Sequence, residues 1–120
     1  FTKTPGLKVV YPAFPYDAKG LLNESINDPN PVLFFEHKQL YRSVHQEVPT
    51  DYYTIPLGKA ALLKEGNQLT IIAYGASVHW ALETLSKKPE ISADLLRKRE
   101  EQLFIKKIRF LAELQVIFQP

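Results

Sequence analysis

Leu7–Tyr11 (LKVVY) is a short, β-branched apolar run bounded by Gly6 and Pro12, which predicts a buried strand. Pro12 and Pro15 make a rigid turn, and Pro15 ends the extended stretch. From Tyr16 to Asn27 the spacing becomes helical. Ala18, Leu22 and Ile26 fall four apart, with Leu21 beside them on the same expected face. Asp17 sits in the first turn, where the helix dipole favours negative charge. Asn27-Asp28-Pro29-Asn30-Pro31 stops the helix, and Val32–Phe35 (VLFF) has the uniformly apolar character of a strand covered on both faces. Strand, helix and strand within about 30 residues predict a βαβ unit with parallel strands and a right-handed crossover.

Glu36 to Pro56 is polar, aromatic and proline-bearing, without a clear period, and reads as a long surface loop or linker. A second unit follows. Ala60–Lys64 reads as a short strand, Glu65-Gly66-Asn67 as a hairpin-like turn, and Leu69–Tyr74 as a buried strand closed by Gly75. Ala76–Lys87 is expected to be a helix with Val78, Ala81, Leu82 and Leu85 inward. Ile91–Leu96 suits another strand, although the text from Ser92 onward also suits a long helix. In the tail, Leu103, Phe104, Ile108, Leu111 and Leu114 form one wide apolar stripe with Lys and Arg opposite.

The predicted class is therefore α/β. The chain has 120 residues and is 45% hydrophobic, in the range of soluble globular proteins. No apolar run approaches the roughly 20 residues of a membrane helix, so no membrane partner is expected. A net charge of +2 is too small to imply nucleic acid. There is no cysteine, which removes disulfides, thiolate metal sites and cysteine nucleophiles, and suits a cytoplasmic protein. There is no methionine either, and a chain beginning at Phe1 reads as a piece of a longer polypeptide.

Candidate chemistry is sparse. His37, His45 and His79 have no neighbours at metal-ligand spacing, and no nucleophile elbow, dinucleotide fingerprint or P-loop is present. Glu36-His37 is the best local candidate, because ligands of open α/β sheets gather at the carboxyl ends of strands. The plainer reading, the start of a solvated loop, carries more weight on that rule alone. His45 reads as exposed surface and His79 as a half-buried packing residue beside Trp80. Asp28 and Asn30 stand where hard oxygen ligands would suit a cation, although capping of an Asx turn is the simpler role. Arg97-Lys98-Arg99 reads as a solvated helix face.

The wording of the chain carries more than its periodicity. PGLKVVYPAFPYDAKGLLNESINDPNPVLFFEHKQLYR, followed by VPTDYYTIPLGKAALLKEGNQLTIIAYGASVHWALE, resembles the beta subunits of thiamine-diphosphate-dependent 2-oxo acid dehydrogenases from Phe1 to about Leu96. That resemblance implies parts of two transketolase-like domains. Residues 1–49 would be the end of the pyrimidine-binding domain, 50–57 a linker, 58–96 the start of the C-terminal domain, and 97–120 a helical tail foreign to the family. It implies oxidative decarboxylation of a 2-oxo acid, branched-chain such as 2-oxoisovalerate or alternatively pyruvate, with acyl transfer to lipoyl. It also implies an alpha subunit, a second beta subunit and a lipoyl acyltransferase core as partners, in the cytoplasm or, in a eukaryote, the mitochondrial matrix. The family's catalytic glutamate and histidine would lie before Phe1, so no catalytic or cofactor-binding residue is assigned here and the isolated chain is expected to be inactive. One family site carries over: a potassium ion held by the Ser25 carbonyl, Asp28 and Asn30. The competing readings are a non-catalytic module that binds a partner subunit and a misassembled product that folds only in part.

Overall fold

The computed structural model describes residue 1 and residues 4–99. Eight elements follow in order: β1 (Lys8–Val10), α1 (Pro15–Asn27), β2 (Val32–Phe34), α2 (Leu40–Ser43), β3 (Ala61–Lys64), β4 (Leu69–Ala73), α3 (Ala76–Lys87) and β5 (Ala93–Arg97). The chain is mixed α/β.

β1 and β2 pair in parallel, with Val9 opposite Leu33 and Val10 opposite Phe34, as the βαβ pattern predicts. α1 connects them. Pro15 opens that helix at a position where a missing N–H costs nothing, and the chain leaves it at Asp28-Pro29 in extended conformation. The buried face of α1 keeps Leu21, as expected, but otherwise differs from the expected one. Asp17, Gly20 and Leu21 face inward, whereas Leu22 is 44% and Ile26 73% exposed. The inward face is chosen by a small residue that lets another segment approach, not by the fourfold aliphatic spacing.

That segment is the linker. The Ile55 N–H donates to the Gly20 carbonyl at 3.1 Å, and Asn23 Nδ2 donates to the Tyr53 carbonyl at 2.9 Å. The Tyr53 ring stacks on Tyr16 with centroids 4.7 Å apart, and its hydroxyl donates to the Tyr16 carbonyl at 2.9 Å. Lys19 Nζ donates to the carbonyls of Pro49, Thr50 and Asp51. The stretch read as a surface loop is thus fastened along α1, contains the short α2, and sends Ile55 into a core with Val10 and Leu21.

The second sheet has the order β3-β5-β4. β5 runs parallel to β4 after the α3 crossover and antiparallel to β3. The Glu65–Asn67 turn is therefore not a hairpin between paired neighbours, because β5 lies between the strands it joins. Ala93 and Leu95 of β5 are fully buried there, and inserting them gains more apolar contact than a two-stranded hairpin would. The turn is fitted against β5 instead: Gly66 N–H donates to Asp94 Oδ1 at 2.9 Å, and a Cβ at Gly66 would stand 2.3 Å from the Ala93 backbone. Val78 and Leu85 of α3 are buried against this sheet, with Ala81 and Leu82 packed beside them, as expected. Ala13, from the turn after β1, enters the same core.

The strand reading of Ile91–Leu96 is the correct one, and it extends to Arg97. Arg97 and Arg99 are not a solvated helix face. Arg97 closes β5, and both guanidiniums are mostly buried against Asp17, at 2.5 Å and 3.3 Å. The expected apolar stripe of the tail lies outside the described residues.

Candidate functional site

Two places collect the residues singled out in the sequence. The first is the turn after α1. A helix leaves its last carbonyls without intrahelical donors, and prolines worsen this deficit. Pro29 has no N–H to return to the Ser25 carbonyl four residues earlier, and Pro31 has none for Asn27. Asp28 organises the turn. Its Oδ1 accepts from both the backbone N–H and Nδ2 of Asn30, each at 2.9 Å, and its Oδ2 is paired with the Lys8 ammonium. The Lys8 N–H in turn donates to the Pro31 carbonyl at 3.0 Å, so the turn is tied to the start of β1. The hydrogen bonds from Lys8 and Asn30 hold the Asp28 carboxyl down at about 2. The Ser25 hydroxyl donates to the Leu21 carbonyl at 2.7 Å. The structure thus brings Ser25, Asp28 and Asn30 into one turn, with the Asx capping role realised. Both Asp28 oxygens are engaged within the turn, and the positive charge beside them is the Lys8 ammonium. Among the described residues, no group of three or more His, Cys, Asp or Glu could hold a metal ion.

The second place is the carboxyl end of the first sheet. Pro12–Pro15 after β1 and Glu36-His37 after β2 line a cleft of about 280 Å³, closed by Leu40, Tyr41 and Val44 of the α2 region. Its walls are apolar. Glu36 accepts a hydrogen bond from Tyr41, which pushes the Tyr41 phenol above its usual range. His37 Nδ1 is buried without a hydrogen-bond partner. These walls do not suit thiamine diphosphate: the cleft is small, its one acid is engaged with Tyr41, and it offers no cation-binding set for a diphosphate.

The remaining histidines are separate from both places. His45 is exposed. His79 is half-buried, packs its ring 4.8 Å from Phe14, and bonds through Nε2 to the Ala13 carbonyl at 2.6 Å. A carbonyl only accepts, so that nitrogen carries the proton. No helix among the described residues is long and apolar enough to cross a membrane.

Comparison with known proteins decides what this geometry belongs to. Residues 1–44 match the family described as Transketolase, pyrimidine binding domain. Over 101 residues, 82% of this chain, the sequence is 50% identical to the 2-oxoisovalerate dehydrogenase subunit beta of Bacillus subtilis, covering 31% of that protein. The chain is related to the beta subunits of 2-oxo acid dehydrogenases. The pyruvate dehydrogenase E1 component subunit beta of the same organism is 54% identical over 97 residues, 79% of this chain and 30% of that protein. The beta subunit of its acetoin:2,6-dichlorophenolindophenol oxidoreductase is 52% identical over 101 residues, 82% of this chain and 29% of that protein. The chain spans about 30% of the length of these relatives. In the beta-subunit frame, the transketolase match covers β1, α1, β2 and α2, the elements that build both the Asp28 turn and the cleft. The contact of Asp17 with Arg97 and Arg99 was invisible in the sequence, because nothing local marks a pairing 80 residues apart.

Proposed function

We propose that this chain is a segment of the beta subunit of a thiamine-diphosphate-dependent 2-oxo acid dehydrogenase, carrying the end of the pyrimidine-binding domain (1–49), a linker (50–57) and the start of the next transketolase-like domain (58–96). The carrying observation is 50% identity to a named beta subunit over 82% of the chain, together with a parallel βαβ fold in the matched part. The whole protein would convert a branched-chain 2-oxo acid such as 2-oxoisovalerate, pass the acyl group to a lipoyl acyltransferase core, and work with an alpha subunit and a second beta subunit. The cofactor would be held by residues outside this chain. A pyruvate substrate is the second reading, favoured by the slightly higher identity to the pyruvate enzyme. The Ser25 carbonyl, Asp28 and Asn30 would contribute to a structural potassium ion that shares Asp28 with Lys8.

The experiment uses the full-length protein carrying this chain, coexpressed with its alpha subunit. Decarboxylation of 2-oxoisovalerate and pyruvate would be compared by kcat/KM, and melting measured in potassium against sodium chloride. Preference for 2-oxoisovalerate supports the first reading, preference for pyruvate selects the second, and turnover of neither ends both. An equal melting temperature in the two salts ends the potassium assignment.

A further inference from the structure

The two α/β units meet through one short turn. Tyr11 N–H donates to the Arg99 carbonyl at 3.3 Å, His79 bonds to the Ala13 carbonyl, and the Arg97 guanidinium lies over the Phe14 ring at 4.9 Å. Just beyond the turn, in the first turn of α1, is Asp17, 1% exposed, gripped by Arg97 (12% exposed) and Arg99 (16% exposed). We propose that Asp17, Arg97 and Arg99 form a charge lock that specifies how the second α/β unit docks on the first.

Three observations carry this. The lock spans the units, since Asp17 belongs to α1 while Arg97 ends β5 and Arg99 follows it. It is costly to leave half-made: two guanidiniums face one carboxylate, and Arg97 Nε and Arg99 Nε are buried without hydrogen-bond partners, so removing the carboxylate would strand two buried positive charges. It is also selective rather than strong. Burial disfavours the charged Asp17 carboxylate and offsets part of the attraction of the two arginines, so the pairing gives up much of its Coulomb gain to desolvation. The titratable groups facing Asp17 are Arg97 and Arg99 from the β5 end and the Tyr53 phenol from the linker. A pairing that adds little net stability at neutral pH but penalises every docking that parts the charges acts on geometry.

The test is hydrogen exchange on the full chain carrying Asp17→Asn, Arg99→Gln, both, or Arg99→Lys. Each neutralising variant should speed exchange of the first turns of α3 and of β5 by about tenfold while the Ile55 amide, bonded to Gly20, keeps its protection. The double variant should be no worse than the worse single one, and Arg99→Lys should exchange like the unaltered chain. Unchanged exchange in α3 and β5, multiplied effects in the double variant, or equal loss at Ile55 would each overturn the lock. Should Asp17→Asn fail to fold, the contrast between Arg99→Gln and Arg99→Lys decides alone: equal behaviour of the two refutes it.

Discussion

Gly20 offers the sharpest check on how the linker is held. A Cβ placed there would stand 2.6 Å from Ile55 Cγ1, 2.8 Å from Ile55 Cδ1 and 2.8 Å from Tyr53 Cε2. Alanine in a helix interior is favoured over glycine by about 1 kcal/mol. Overpacking a filled site costs about 1–3 kcal/mol. Ile55 cannot simply swing away, because its own N–H is bonded to the Gly20 carbonyl. Gly20→Ala should therefore destabilise the chain by about 1 kcal/mol net, the clash outweighing the propensity gain. Ile55→Ala alone empties a buried site and should cost about 2–3 kcal/mol, the low end for an aliphatic truncation beside a partly open linker. In the double variant the two closest atoms are gone, although Tyr53 remains. Gly20→Ala on that background should become neutral or slightly stabilising, a coupling of about 1–2 kcal/mol. Urea unfolding of the four proteins measures it. Equal effects of Gly20→Ala in the presence and absence of the Ile55 side chain would refute the close approach of linker to helix.

Two further outcomes follow from single contacts. His79→Leu should cost about 1–3 kcal/mol, because the buried Ala13 carbonyl loses its donor, while His79→Gln should cost less; denaturant midpoints that do not separate the two variants would show that the hydrogen bond is not what matters. Asp28 is held at about 2 against an ordinary 3.8, so the folded state binds its proton less readily than the unfolded chain. Its contribution is fully present above about pH 4 and disappears as pH falls toward 2, and Asp28→Asn should flatten the acid limb of a stability–pH curve in that window; parallel curves for the two proteins would contradict the pairing with Lys8 and Asn30.

Local features were legible and distant ones were not. The β-branched runs at Val9-Val10 and Ile71-Ile72, the proline stop at Pro29 and the glycine before α3 act within a few residues, and the strands and helices appear where they point, although Leu69, Ile72 and Tyr74 are exposed where a buried strand is expected. The Asp28 turn is likewise local, since an Asx residue bonds backbone two positions on. The face of α1 misled because hydrophobic spacing counts Leu22 and Ile26 for the core and ignores glycine, yet the buried side belongs to Gly20, where the linker needs room, and to Asp17, where two arginines meet. Arg97 and Arg99 look like a solvated face because a run of positive charge is normally exposed, and it is the distant Asp17 that draws both guanidiniums inward. The insertion of β5 between β3 and β4 depends on the α3 crossover, which no turn residue announces.

The first sheet raises a question of sufficiency. Two parallel strands of three residues lie far below what is stable in isolation, and parallel sheets are found covered on both faces. Here the cover comes from unlike sources. α1 supplies Leu21 to one core, and the linker supplies Ile55 with Tyr53 and Leu57 beside it. The turn leaving β1 places Ala13 in the core of the other unit. Among the described residues, β1 thus reaches both cores, through Val10 in one and through Ala13 of its exit turn in the other. A disturbance at either the linker or the Asp17 contact would reach the same short strand, so the linker and the interface are mechanically one support. Gly20 and Asp17, three residues apart on the inward face of α1, meet the linker and the arginines respectively, so both supports converge on one helix face.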